Sequence, residues 1–245
     1  MNTFESHLQS FRTLQEQGAK TQLRPVREVS NRGGNIIGKF PSLKMQQMLP
    51  FESLIERDYL YILDFEQDVR GFAAQPFSIP YSLGAKTRNY TPDFYVLRHT
   101  VQDVVECKPA KLVNIPENQA KHQAAAAWCT ERNCRFSIVT DLELRKGFRL
   151  QNVKLLTQFA RYSISEQLKY RIWKCLASIT EPIKITDLMV QLAPENPESI
   201  MIPILHLAFH HEVLIPLDER RISPDSTVQL SRTPEKEVSH ESPTI

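Results

Sequence analysis

The chain has 245 residues, 41% of them apolar and 24% charged, which suits a globular protein with one large domain or two small ones. No run of about 18 apolar residues occurs, so no membrane span is expected, and the polar opening MNTFESHLQSFRTLQEQGAK lacks the apolar centre of a secretory signal. A net charge of +2 excludes little, because DNA is gripped by local Lys/Arg patches rather than by overall charge.

In chain order, Phe4, Leu8, Phe11 and Leu14 recur at helical spacing and predict an amphipathic helix over 3–17. The glycines in NRGGNIIGKF then make a basic, flexible loop. A second helix is expected to start near Pro50, a residue suited to a first helical turn. Its apolar stripe is Phe51, Leu54, Ile55, Tyr59 and Ile62, and it ends before Phe65. Strand-like runs follow around Gly71–Phe72, at 77–81 (FSIPY), 93–97 (DFYVL) and 103–108 (DVVECK), the last closed by Pro109. The Ala-rich stretch 116–131 reads as a helix, RFSIVT at 135–140 as a buried strand, and 152–162 as a further helix. This order predicts a mixed α/β core covered by helices.

The pattern changes near Ser163. Helices are expected at 165–177, 186–192 and 197–210, the last capped by Asn196-Pro197-Glu198. Short strands at 212–217 and 227–231 complete a winged-helix pattern. The expected organisation is a catalytic domain over 1–162, a winged-helix domain over 163–233 and a disordered tail over 234–245. Cys107, Cys129, Cys134 and Cys175 form no CxxC pair or zinc-ligand spacing, so reduced thiols in a cytoplasmic protein are expected.

The sharpest motif is Pro92-Asp93, a spacer, then Glu106-Cys107-Lys108. Phosphodiester hydrolysis uses hard carboxylate oxygens to hold Mg²⁺, and a nearby lysine to orient water and offset developing charge. Alternation along a strand puts Glu106 and Lys108 on one face and Cys107 on the other. If 93–97 and 103–108 form a hairpin, Asp93 lies beside Glu106 near its open end. A third acid is expected from the preceding helix, where Glu52 and Glu56 share a face. Glu52 belongs to the first turn, where the dipole favours an acid anyway. Glu56 is expected in mid-helix and is the better ligand.

The segments Phe40-Pro41-Ser42-Leu43-Lys44, Phe51 to Asp58, Leu63-Asp64-Phe65, Val69, Gln75-Pro76, Tyr90-Thr91-Pro92-Asp93-Phe94 and Glu106-Cys107-Lys108-Pro109 resemble TnsA. TnsA is the endonuclease subunit that works with the transposase TnsB and the AAA+ ATPase TnsC. The similarity covers about 40–160, and the remainder matches the family's C-terminal winged-helix domain. The resemblance implies a restriction-endonuclease-like mixed-sheet fold, with Glu56, Asp93 and Lys108 at the family's catalytic positions. Glu106 falls at the motif's second acid, where some members carry Gln. It further implies Mg²⁺ (or Mn²⁺) held by Glu56, Asp93 and Glu106, and double-stranded DNA at transposon ends as substrate. This chain then cuts the 5′ ends while the TnsB-type partner processes the 3′ ends.

Other residues read more simply. Arg24, Arg27, Arg32, Lys39 and Lys44 form either a DNA grip or a solvated loop. Gln75 reads either as a contact to the metal site or DNA or, more simply, as a buried, hydrogen-bonded residue before a strand proline. His206, His210 and His211 have no acidic or Cys partner at ligand spacing and read as surface or packing residues. Trp128 and Trp173 read as core. Helix 197–210 is poor in Lys and Arg, which makes protein docking as good a role as base reading. The competing functions are a stand-alone restriction- or repair-type nuclease and a non-catalytic DNA-binding or assembly module. The intact acid and lysine set argues against the second.

Overall fold

Buried Phe40, Ser42, Leu49 and Phe51 alternate with more exposed neighbours and form an antiparallel ribbon of β1 (Gly38–Ser42) and β2 (Gln47–Phe51). A Cβ at Gly38 would lie 2.5 Å from the Phe51 ring, so only glycine fits opposite that phenylalanine. Pro50 therefore belongs to a strand, not to the first turn of a helix. A two-stranded ribbon has free edges, and prolines 41 and 50 are tolerated there. The computed structural model describes residues 36–231, so the helix expected at 3–17, Arg24, Arg27 and Arg32 of the expected grip and the tail at 234–245 lie outside the described residues.

The helix itself, α1, spans Leu54–Phe65 and starts at the N-cap Ser53, whose hydroxyl accepts from the Glu56 N–H. Its apolar stripe buries Ile55, Tyr59, Leu60 and Leu63. At its far end Asp64 is buried and ties the ribbon's turn down. It accepts hydrogen bonds from the Leu43 N–H at 2.9 Å, the Lys44 N–H at 3.0 Å and the Ser42 hydroxyl. Lys44 folds back too, its ammonium donating to the carbonyls of Leu63 and Glu66 at the helix C-terminus. Burial lowers its pKa to about 8. Lys44 thus caps a helix, which removes it from the expected DNA grip.

The central sheet has the order β3 (Val69–Ala74), β6 (Phe94–Arg98), β7 (Gln102–Lys108), β8 (Arg135–Thr140). The first three strands run antiparallel, and β8 lies parallel to β7 after a crossover through α2 (Ala110–Val113) and α3 (Pro116–Thr130). Between β3 and β6 a separate hairpin pairs β4 (Ile79–Leu83) with β5 (Lys86–Tyr90). Register divides the sheet into two faces. Phe94 stands opposite Val105, and Tyr59 of α1 meets the Phe94 ring at 5.7 Å, so α1 covers that face. Tyr95 stands opposite Val104 on the other face. There Phe77 packs on Tyr95 and stacks on Trp128 of α3 with ring centroids 4.8 Å apart. The result is helix, mixed sheet, helix. At one end of the sheet buried Asp103 locks three strands together, accepting from Arg98 at 2.9 Å and from Arg135 at 2.6 and 2.8 Å.

The chain divides into two compact units after Leu150, earlier than the change of pattern at 163. The cause is local. After the short α4 (Asp141–Leu144), helix α5 (Arg149–Phe159) carries buried Asn152, which donates to the carbonyls of Leu217 at 2.8 Å and Arg220 at 2.7 Å and accepts from the Ile222 N–H at 2.9 Å. In that second unit α6 (Glu166–Ala177), α7 (Ile185–Leu192) and α8 (Met201–Phe209) accompany a small sheet of β10 (Val213–Leu214), β11 (Thr227–Leu230) and β9 (Ile183–Lys184). The helix expected at 197–210 splits into a 3₁₀ turn at Pro197–Ile200 followed by α8, and Asn196 makes no side-chain cap bond. His206 and His210 bond the carbonyls of Phe159 and Ala160, as packing residues do. Trp173, by contrast, is 37% exposed with the Lys169 ammonium over its ring at 4.7 Å, not a core residue.

Candidate active site

The motif residues collect where β6 begins and β7 ends. The last paired rung is Ala74, Phe94 and Val105, and the next one along holds Gln75, Asp93 and Glu106. Asp93 is held by two backbone bonds. Its carbonyl accepts from the Gln75 N–H at 2.8 Å, and its carboxylate accepts from the Cys107 N–H at 2.7 Å. Strand alternation puts Cys107 in the core and brings Lys108 and Glu106 together, Nζ to Oε1 at 2.9 Å. The other Glu106 oxygen accepts from the Tyr90 hydroxyl at 2.7 Å. Glu106 is 4% exposed and Glu56 7%, which is rare for acids without a special purpose.

Glu56 is not in mid-helix. It is the third residue of α1, and it and Ser53 satisfy one another: the Ser53 hydroxyl donates to Oε1 at 2.7 Å, and the Glu52 N–H donates to Oε2 at 2.8 Å. This is a helix-start arrangement related to the capping box, so Glu56 has a structural duty as well. Glu52 lies one residue before the N-cap, outside the first turn.

Electrostatics tie the group together. Burial raises the Asp93 pKa well above its ordinary value, and the charges of Glu106 and Glu56 add to the rise against the Cys107 N–H and Lys108. Glu56 is raised too, by burial first and then by Glu52 and Glu106, despite its two hydrogen bonds. For Lys108, burial works downward, but Glu106, Asp93 and Glu56 outweigh it and the net shift is upward. Three desolvated carboxylates thus face one ammonium, a shortage of positive charge that a divalent cation would balance. The donors are hard oxygens, the kind Mg²⁺ takes. Among the described residues, however, no group of three or more His, Cys, Asp and Glu side chains stands ready-made to hold a metal ion. The carboxylates are instead turned to the protein partners just named.

Residues 66–141 match the family model of the TnsA-like endonuclease N-terminal domain. The match supports a TnsA-type endonuclease, a nuclease of DNA transposition with partner proteins, and a restriction-endonuclease-like fold for the mixed sheet. No curated protein matches the chain. The TnsA-like region contains Asp93, Glu106 and Lys108 and leaves Glu56 upstream of it. No helix among the described residues is long and apolar enough to cross a membrane.

Two neighbours of this site escaped the sequence reading. Tyr90, part of the Tyr90-Thr91-Pro92-Asp93 run, holds Glu106, and burial, then the Glu106 charge and that bond, raise its own pKa. His122 on α3 is 8% exposed and packs its ring on Phe136 at 5.8 Å. Phe136 pairs with Val104 on the face of Glu106 and Lys108, and burial lowers the His122 pKa despite the Glu106 charge. A lone histidine amid alanines was the available signal.

Proposed function

We propose that this chain is the metal-dependent endonuclease subunit of a cut-and-paste transposase, hydrolysing the 5′ ends of the element while a TnsB-type partner processes the 3′ ends and a TnsC-type ATPase regulates the assembly. The observation that carries this reading is the rung of Asp93 and Glu106 with Lys108 beside it, inside the TnsA-like region. Asp93 and Glu106 would hold Mg²⁺ or Mn²⁺, with Glu56 as third acid. When bound, the cation supplies Lewis-acid polarisation of the phosphate and a more acidic water. Lys108 offsets charge on the phosphate oxygens, Tyr90 fixes the orientation of Glu106, and Ser53 fixes that of Glu56. Lys108→Ala is expected to lower cleavage roughly 100-fold while Mn²⁺ still binds, measured by nicking assay and calorimetry. Loss of Mn²⁺ binding instead would make Lys108 part of the fold of the site.

The second unit reads as a winged helix whose third helix, α8, carries no Lys or Arg and buries Ile204, Leu205, Leu207, Ala208 and Phe209. Such a helix does not read base edges, so the choice of cutting site falls to a partner. A plasmid with both element ends is therefore expected to stay intact with this protein and Mg²⁺ alone, and to be nicked at the 5′ ends when the TnsB-type transposase is added. Efficient site-specific cleavage by the protein alone would favour a stand-alone restriction- or repair-type nuclease.

A further inference from the structure

Gln75 combines three features that packing does not explain. Its backbone is left-handed, with φ +47°, a conformation that suits glycine and strains a glutamine. Pro76 adds to the conflict, because the residue before a proline favours extended backbone. The residue is 4% exposed, and its carboxamide oxygen is buried without a hydrogen-bond partner. A buried orphan acceptor and a strained backbone both oppose folding, and both persist together where a site requires them. Their place is the rung of the candidate site, since the Gln75 N–H holds the Asp93 carbonyl at 2.8 Å.

We propose that Gln75 is a further catalytic residue, whose carboxamide oxygen accepts a hydrogen bond from the water that attacks the scissile phosphate. The proposal rests on the nuclease reading above. In that step the water oxygen bonds to phosphorus as the bond from phosphorus to the leaving sugar oxygen breaks. The water loses a proton to solvent, and the leaving oxygen takes one up. Gln75 keeps its own protons throughout and acts by aligning the nucleophile. The left-handed turn lets residue 75 bond Asp93 through its backbone while its carboxamide oxygen stays uncommitted.

Full-length wild type, Gln75→Gly and Gln75→Asn are compared for nicking with the partner transposase and Mg²⁺, and for thermal unfolding without them. Glycine suits the backbone, so Gln75→Gly is expected to unfold at or above the wild-type temperature. Its cleavage at saturating DNA is expected to fall about 100-fold, with the half-saturating DNA concentration unchanged. Asparagine tolerates left-handed backbone and keeps a carboxamide, so Gln75→Asn is expected to recover part of the rate. Gln75→Gly that cleaves within a few-fold of wild type, or that unfolds well below it, overturns the proposal, as does Gln75→Asn no better than glycine. An inactive wild type would instead sink the nuclease reading, and this proposal with it.

Discussion

Asp93→Asn will abolish 5′-end nicking and, at neutral pH without metal, will unfold at a higher temperature than wild type. The two effects share one cause. Asp93 sits at the centre of the acid group, and its carboxyl is raised by burial and by Glu106 and Glu56. Asparagine keeps an oxygen for the Cys107 N–H and removes the charge that a cation needs. A loss of roughly 1,000-fold in rate follows from removing a charged metal ligand. The pH dependence follows as well. Because Asp93 and Glu56 hold protons more tightly folded than unfolded, their contribution to stability is complete below the unfolded value of about 4. It is lost as pH rises through the folded values. Metal-free wild type should therefore be relatively more stable in mild acid than at neutrality, and Asp93→Asn should flatten that slope. Mg²⁺ should stabilise wild type at neutral pH and leave the variant unmoved. Thermal scans across pH, with and without Mg²⁺, check both. A variant that nicks normally in Mg²⁺ would remove Asp93 from the site.

Asp64→Ala has the largest expected effect on stability. One buried carboxylate accepts from the Ser42 hydroxyl and from two backbone N–H groups of the ribbon's turn, all of which the substitution leaves unanswered. Lys44, folded onto the end of α1, loses the charge that most offsets its burial. Stranding several buried donors at once costs about 3–5 kcal/mol, or roughly 10 °C in the unfolding midpoint for a chain of this size. Asp64→Asn, which retains an acceptor, should lose less. A midpoint unchanged in Asp64→Ala would mean that the turn is satisfied by other groups.

The sheet strands and α3 were legible because their signals are strong and local. DFYVL, DVVECK and RFSIVT lie within a residue of β6, β7 and β8, although β8 ends the sheet and has no buried residue, so it is not the buried strand expected. The ribbon was not legible, since prolines 41 and 50 argue against strands everywhere except on free edges. Nor was β5, whose residues KTRNY are exposed up to Tyr90 and show no apolar alternation. At the site, the proximity of Asp93 and Glu106 could be read from the hairpin. Glu56 was singled out for a position in the helix that it does not occupy. The strain at Gln75, the Tyr90 bond to Glu106 and the place of His122 over the sheet depend on backbone torsions and on packing between distant segments. No local pattern carries them.

On the proposed nuclease function, the parallel pairing of β7 with β8 bears on when in its synthesis this chain becomes able to cut DNA. Glu106 and Lys108 lie on a strand whose second neighbour, 135–140, is made only after the whole α3 crossover. A chain emerging from the ribosome thus holds every candidate catalytic side chain well before it holds the strand that completes their setting. Parallel pairing across such a connection is among the slower events in folding. Nuclease competence arrives with the closing of the first unit, after the synthesis of its chemical parts, and that delay is built into the order of the strands.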